Sequence, residues 1–178
     1  MRIIAIGGEP GSGKSTLMKR IINEFEMEPK YQEYKLVPYL QRGNIYILGK
    51  YEEGEVFSGT DRMSMAVQPE AIKFLNTLSD DSIVIYEGDR LFTTSFLEYC
   101  MEHYDLKIVY LETEREVRDK RCEERGSDQN EQWLQGRETK ILNILSNMFL
   151  MLNVSRYQNN NLKEQEVVFE AITKEMVN

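Results

Sequence analysis

The sequence predicts a doubly wound α/β domain: a parallel sheet with helices on both faces. Three observations carry this expectation. Apolar runs of strand length, Ile3–Ile6, Ser82–Tyr86 and Leu106–Leu111, recur along the chain and read as strands buried on both faces. Segments with helical spacing separate them, and strands alternating with helices build a parallel sheet through crossover connections. The first strand is joined to the first helix by Gly8-Glu9-Pro10-Gly11-Ser12-Gly13-Lys14-Ser15. This is G-x-x-x-x-G-K-S in the strand–loop–helix context in which that pattern binds phosphate.

The chemistry of the loop follows from its residue types. Gly8, Gly11 and Gly13 carry no Cβ, so the backbone can turn tightly and aim its N–H groups inward. The helix that opens at Lys14 and runs through Thr16 adds the positive end of its dipole at the same place. Ser12 lies inside the same cradle. The motif has Lys14 reaching the β- and γ-phosphates and the Ser15 hydroxyl ligating Mg²⁺.

The remaining elements are justified in chain order. Glu26–Pro29 ends the first helix, and Lys35–Tyr39 reads as a second strand. Asn44–Gly49 and Gly54–Ser58 read as a β-hairpin insertion, approximately 44–58, around an acidic turn at Glu52-Glu53. Ala71, Ile72, Leu75 and Leu78 recur at helical spacing and predict a helix over Pro69–Leu78. Phe92–His103 reads as helix, and Leu106–Leu111 as strand. Glu114–Arg125 reads as a charged helix ended by Gly126. The polar stretch 127–135 is expected to be mobile. A long helix over Gly136–Leu150 is expected to present Ile141, Ile144, Leu145, Met148 and Phe149 on one face. A short strand over Leu152–Tyr157, a turn at Asn159–Asn161 and a helix over Leu162–Val177 close the chain.

Bulk properties set limits. The chain of 178 residues, 41% of them hydrophobic, fits one globular domain, 1–178, with no repeat or linker. No apolar run approaches the roughly 18 residues of a membrane span, and Met1-Arg2 leading straight into a strand predicts no signal peptide. Cys100 and Cys122 lack a metal-type spacing, which fits a reducing, cytoplasmic compartment. His103 is given no role. The formal net charge of −8 disfavours a broad nucleic-acid footprint, although a local basic pocket is compatible with it.

Several constellations can carry chemistry. Glu87-Gly88-Asp89-Arg90 follows a strand, so in a parallel sheet it sits at the C-terminal edge beside the glycine loop. A carboxylate there can hold the Mg²⁺ shell or orient an acceptor, and Arg90 can contact a phosphate. Asp61 is either a helix N-cap or a general base, and Arg62 either a surface charge or an acceptor contact. Tyr39, Tyr46 and Phe57 can stack on a flat base or belong to the core. Arg118, Arg121 and Arg125 stand at i, i+3 and i+7 and share a helix face. With Arg137, and with Lys140 three residues further on, they read as a phosphate-clamping lid at approximately 114–137 or as a salt-bridged surface helix.

Taken together, these residues resemble the P-loop kinases of the nucleoside and nucleotide kinase group. Gly8–Ser15 matches the Walker A. Asp89-Arg90-Leu91, with Thr94-Ser95 beyond, is similar to the Asp-Arg-Tyr segment of thymidylate kinases, and Glu87 to the Glu of the Glu-Arg-Ser segment of deoxynucleoside kinases. Leu111-Glu112 with Arg118, Arg121 and Arg125 resembles the strand and lid helix of the group, and Asn159-Asn160 the loop that flanks adenine. Two departures stand out. The hairpin replaces the usual acceptor-site helix, and Gly59–Ser64 matches neither acceptor motif. The compact size and unusual acceptor region also resemble small phage-type P-loop kinases, some of which phosphorylate the hydroxymethyl group of 5-hydroxymethyluracil within DNA.

The resemblance implies an ATP- and Mg²⁺-dependent kinase with a nucleoside- or nucleotide-type acceptor, a hydroxyl acceptor preferred. DNA is a possible partner, the protein would be a monomer or homodimer, and a phage-encoded chain would work in the host cytoplasm. Lys14, Asp61, Arg118, Arg121 and Arg125 would carry the chemistry. Ser15, with Glu87 or Asp89 through water, would hold Mg²⁺. Asn160 would flank adenine, and Arg62, Glu87, Asp89, Arg90 and Arg137 would face the acceptor beside Asp61. The rival from another class is a P-loop ATPase or switch module.

Overall fold

The computed structural model describes residues 1–55, 57–126 and 130–177. Its strands are β1 (Arg2–Gly7), β2 (Glu28–Pro29), β3 (Tyr39–Arg42), β4 (Ile45–Leu48), β5 (Ile83–Glu87), β6 (Asp105–Glu112) and β7 (Val154–Gln158). Its helices are α1 (Lys14–Glu24), α2 (Gln68–Leu75), α3 (Thr94–His103), α4 (Arg115–Glu124), α5 (Glu131–Leu145) and α6 (Leu162–Val177). The strands form one sheet in the order β2-β3-β4-β5-β1-β6-β7. From β4 to β7 every pairing is parallel, and β2 and β3 add an antiparallel edge.

Period-two alternation along β1 divides the core between the two faces. Ile3 and Ala5 pack with Phe74, Phe96, Leu97 and Ile144 from α2, α3 and α5. Ile4 and Ile6 pack with Leu17, Met18 and Ile21 of α1 and with Val168, Phe169 and Ile172 of α6. Helices therefore cover both faces, as the sequence predicts. β1 lies between β5 and β6, with Ile6 in register with Glu87 and Gly7 with Tyr110. The chain leaving β1 emerges where the sheet order reverses, which is where open α/β sheets bind ligands. Among the described residues no helix is long and apolar enough to cross a membrane.

Three expectations need correction. The strand expected over Lys35–Tyr39 is β3, Tyr39–Arg42, beginning one position beyond Pro38, and Lys35–Leu36 lies in turns. Pro38 has no N–H to give a ladder, and Leu36 is exposed. The hairpin likewise moves: its arms are β3 and β4 around Gly43-Asn44. The segment after Lys50 returns as a loop with a bridge between Lys50 and Gly59, and Val56 lies outside the described residues. Lastly, the long helix begins at Glu131 rather than Gly136, because Asn130 caps it, its Oδ1 accepting from Trp133 N–H at 2.8 Å. It ends at Leu145, where Ser146 bonds back to Leu142 O and Asn147 Oδ1 takes the N–H groups of Phe149 and Leu150. Met148 and Phe149 are thereby left exposed. Of the stretch expected to be mobile, 127–129 lies outside the described residues and 131–135 is helix.

Candidate active site

The glycine loop is held open from both sides. Gly13, the residue capping α1, has φ 90°, a left-handed value that a side chain resists, and a Cβ there would stand 2.6 Å from Asn159 Nδ2. That close approach lets the buried Asn159 donate to Ser12 O at 2.6 Å, tying the loop to the end of β7. From above, Arg121 on α4 donates to Gly11 O (3.3 Å), Asn159 O (2.9 Å) and Asn160 O (3.1 Å). Helix α4 thus lies directly on the loop.

A cavity of about 600 Å³ opens over this loop. Gly8, Gly11, Gly13, Lys14, Ser15 and Thr16 line its floor. Asp61, Glu87, Asp89, Arg90, Arg121, Arg125 and Arg137 also face it, so residues far apart in sequence meet in one chamber. Ser12 is fully buried beneath the loop. Lys14 Nζ donates to Gly8 O (2.7 Å) and Glu9 O (3.0 Å), so its donors rest on the carbonyls of the loop itself.

Two carboxylates stand at different points of the wall. Glu87 ends β5, is 2% exposed, and accepts from the Ser15 hydroxyl at 3.0 Å. Asp61 sits in a single 3₁₀ turn, Thr60–Arg62, where its Oδ1 accepts the Asp89 N–H at 2.7 Å. Burial pushes Glu87 up to about 7; Lys14 opposes the shift and Asp61 adds to it. Burial also raises Asp61, opposed by Lys14, Arg137, Arg90 and Lys140. Lys14 is pushed the other way, down, by its own burial, against the pull of Glu87, Asp61 and Glu9. Desolvation therefore drives all three toward their neutral forms, and the attraction of each carboxylate to Lys14 recovers only part of that penalty.

Other predicted residues lie outside the cavity lining. Arg62 turns to Glu52 (3.0 Å) and Glu55 (3.7 Å). Arg118 pairs with Glu138 at 3.4 Å, so the expected arginine face divides, with Arg121 and Arg125 facing the cavity. Asn160 serves the chain itself: its Oδ1 accepts from Glu114 N–H and its carbonyl from Arg121. Tyr39 and Tyr46 belong to the core around Phe74, whereas Phe57 lines the cavity. Arg90 Nε donates to Met63 O at 3.3 Å.

Three residues take places that the sequence reading did not give them. Lys140 reaches Asp89 O (2.8 Å) and Asp89 Oδ1 (3.4 Å) beside the Arg137–Asp89 ion pair. Burial, with Arg137 next, pushes Lys140 down to about 8. Trp133 lines the cavity under the Arg137 guanidinium, 4.7 Å from its ring centroid. Asn159 is the third. The resemblance puts Asn159 beside adenine, whereas its amide bonds the glycine loop itself; the lone tryptophan carries no signal in the sequence that links it to the site.

A glycine loop with a buried lysine, a helix laid across it and carboxylates on one chamber is an arrangement that fits a phosphotransferase of the P-loop class. Residues 1–156 match the model of the P-loop Nucleotide Kinase3 family, and the chain belongs to that family. No curated protein matches the chain. Among solved structures it is similar to a shikimate kinase from Bacteroides thetaiotaomicron, at 14% identity and TM-score 0.50 over 99% of this chain and 98% of that one. It is similar also to a deoxyadenosine kinase from M. mycoides, at 14% identity and TM-score 0.50 over 98% of this chain and 100% of that one. These likenesses show the fold. The protein is a kinase of the P-loop nucleotide kinase group.

Proposed function

We propose that the protein transfers the γ-phosphoryl group of ATP to a hydroxyl of a nucleoside-type acceptor, with Asp61 taking the hydroxyl proton. The observation that carries this reading is the separation of the carboxylates. Glu87 is committed to the Ser15 hydroxyl, while Asp61 is anchored through one oxygen to Asp89 N–H and faces the same cavity. A phosphate acceptor is already nucleophilic at neutral pH and needs no base, so a second carboxylate at the chamber wall suits a hydroxyl.

The donor end fits Mg²⁺. Ser15 and Glu87 offer hard oxygen donors at the loop, and among the described residues no cluster of three His, Cys, Asp or Glu side chains competes for a metal. Ser15, with Glu87 through water, would hold the ion, whose contribution is to neutralise charge on the phosphates. The loop N–H groups and Lys14 would bind the β- and γ-phosphates once Lys14 leaves Gly8 O and Glu9 O. Arg121 and Arg125 stand on the lid side, where charge develops on the transferring group.

Asp61→Asn tests the reading, because the amide oxygen still accepts from Asp89 N–H while the basicity is gone. ATP affinity should stay within about twofold, and transfer should fall by roughly a hundred- to ten-thousandfold. The acceptor panel is nucleosides, nucleoside monophosphates, and oligonucleotides bearing a hydroxymethylated base, scored for labelled product against free phosphate. Normal transfer by Asp61→Asn to its best acceptor would reduce Asp61 to a strut for the β5 edge.

A further inference from the structure

Two aromatic rings line the cavity without belonging to the core. Phe57, on the loop after β4, is 54% exposed although its ring faces the chamber. Trp133, the one tryptophan of the sequence, is half-buried in the first turn of α5. Phe92 also borders the cavity but is otherwise engaged: a Cβ on Gly7 would fall 2.0 Å from its ring, so it fills the space left by that glycine.

The position of Trp133 is built rather than incidental. Asn130 fixes its backbone through the N-cap bond. Arg137 lies over the ring and pairs with Asp89, which is also held by Lys140. This tethers the indole to the end of β5. The sheet order puts that edge on one side of β1, and the Asn159–Asn160 turn with Arg121 on the other. If the Asn159-Asn160 turn flanks adenine, as its resemblance implies, the donor's base would lie on the β6–β7 side. The tryptophan stands on the side of Asp61, Asp89 and Arg90.

We propose that Trp133, tethered by Arg137 to the β5 edge and accompanied by Phe57, is the platform on which the acceptor's flat ring stacks, so that the acceptor carries a nucleobase rather than being a polyol or an alicyclic acid. This rests on the kinase reading and assigns the specificity of its acceptor half. A π-face is what an indole recognises and what a saturated acceptor lacks. The guanidinium over the indole adds a cation that polarises the same stack.

The lone tryptophan makes the test direct. Intrinsic fluorescence of the wild-type protein should change on titration with deoxynucleosides in the absence of ATP. It should not change with a non-hydrolysable ATP analogue alone, nor with gluconate or shikimate. Trp133→Ala should raise acceptor KM roughly five- to hundredfold, the range of one stacked base, with ATP KM within about twofold. Trp133→Phe keeps a π-face and should stay within about threefold of wild type. A response to the ATP analogue and none to nucleosides would overturn the proposal, as would nucleoside transfer with acceptor KM unmoved in Trp133→Ala. That second result would leave the kinase reading intact. A nucleoside-specific response with no transfer to any acceptor would support the platform and defeat the hydroxyl-kinase reading instead.

Discussion

Glu87→Gln separates the energetic consequence of the site from its catalysis. Glu87 is 2% exposed, and its neighbours are the Ser15 hydroxyl, Lys14, Asp61 and Arg125. Its pKa rises from 4.5 in the ordinary state to about 7 in the folded protein. The folded state therefore keeps the proton to higher pH than the unfolded chain does. Folding takes up protons between about pH 4.5 and 7, and the contribution of Glu87 to stability falls as pH rises through that window. A carboxylate with a lowered pKa would give the opposite slope.

Integrating these two pKa values between pH 5 and pH 8 gives a loss of about 2–3 kcal/mol from this residue. The glutamine has no proton to lose, and other groups largely cancel in the difference between wild type and variant. The substitution also removes an attraction on Lys14 and a repulsion on Asp61, which act in opposite directions. Urea unfolding of both proteins, with chelator and without nucleotide, is the assay. Glu87→Gln should be near neutral at pH 5, where the amide oxygen still accepts the hydrogen bond from Ser15 that is 3.0 Å long. At pH 8 it should gain about 2–3 kcal/mol relative to its pH 5 effect, which for a chain of this size is roughly 4–12 °C in Tm. An effect independent of pH, or a variant that loses ground at pH 8, would mean that burial does not dominate at Glu87. The division of roles between Glu87 and Asp61 would then lose its electrostatic support.

Two further outcomes follow from the donor end. Lys14→Ala should reduce phosphoryl transfer by at least about a hundredfold while leaving Tm unchanged or raised, since a buried, desolvated ammonium is removed; steady-state kinetics and a thermal melt check both, and wild-type turnover would sink the kinase reading. Asn159→Ala should cost about 0.5–1.5 kcal/mol in urea unfolding, because the carbonyl of Ser12 loses its shorter donor and keeps Thr113 Oγ1 at 3.3 Å, and should raise ATP KM; a stability loss with ATP KM unmoved would make Asn159 a strut of the fold alone.

The parts of this molecule that were legible in sequence are those decided locally. β5, β6 and α6 fall within a residue or so of their apolar patterns, because an apolar run between turn residues fixes a buried strand without outside help. The glycine loop was legible for the same reason. The edge of the sheet was not. Lys35–Tyr39 had strand composition, yet the ladder formed beyond Pro38, where β4 could pair with it. Composition says which segment can be a strand, and the partner decides which residues are. The start of α5 was hidden because Asn130 lay in a polar stretch and looked like one more loop residue. The acceptor wall was hidden more deeply. Asp61 reaches it because Gly59, at φ 71°, lets the 3₁₀ turn press onto β5: a Cβ there would stand 2.6 Å from Glu87 Oε1. No spacing rule links a glycine at 59 to a carboxylate at 87.

The same contrast bears on what the family match can transfer. The donor half of the site occupies one contiguous loop, and its chemistry depends on backbone N–H groups, a lysine and a hydroxyl in fixed order. A chain that keeps the loop keeps the donor chemistry, whatever surrounds it. The wall proposed for the acceptor is assembled from the turn at Asp61, the β5 edge at Glu87–Arg90, the loop at Phe57 and the first turns of α5 at Trp133 and Arg137. Each segment can change without disturbing the loop, which is how folds of this kind serve different acceptors. The solved neighbours illustrate this: at 14% identity one is a shikimate kinase and another a deoxyadenosine kinase. Fold similarity at that level is therefore silent about the acceptor. Only side chains on the wall of this chamber can choose between a saturated ring and a nucleobase, and here that wall presents an indole.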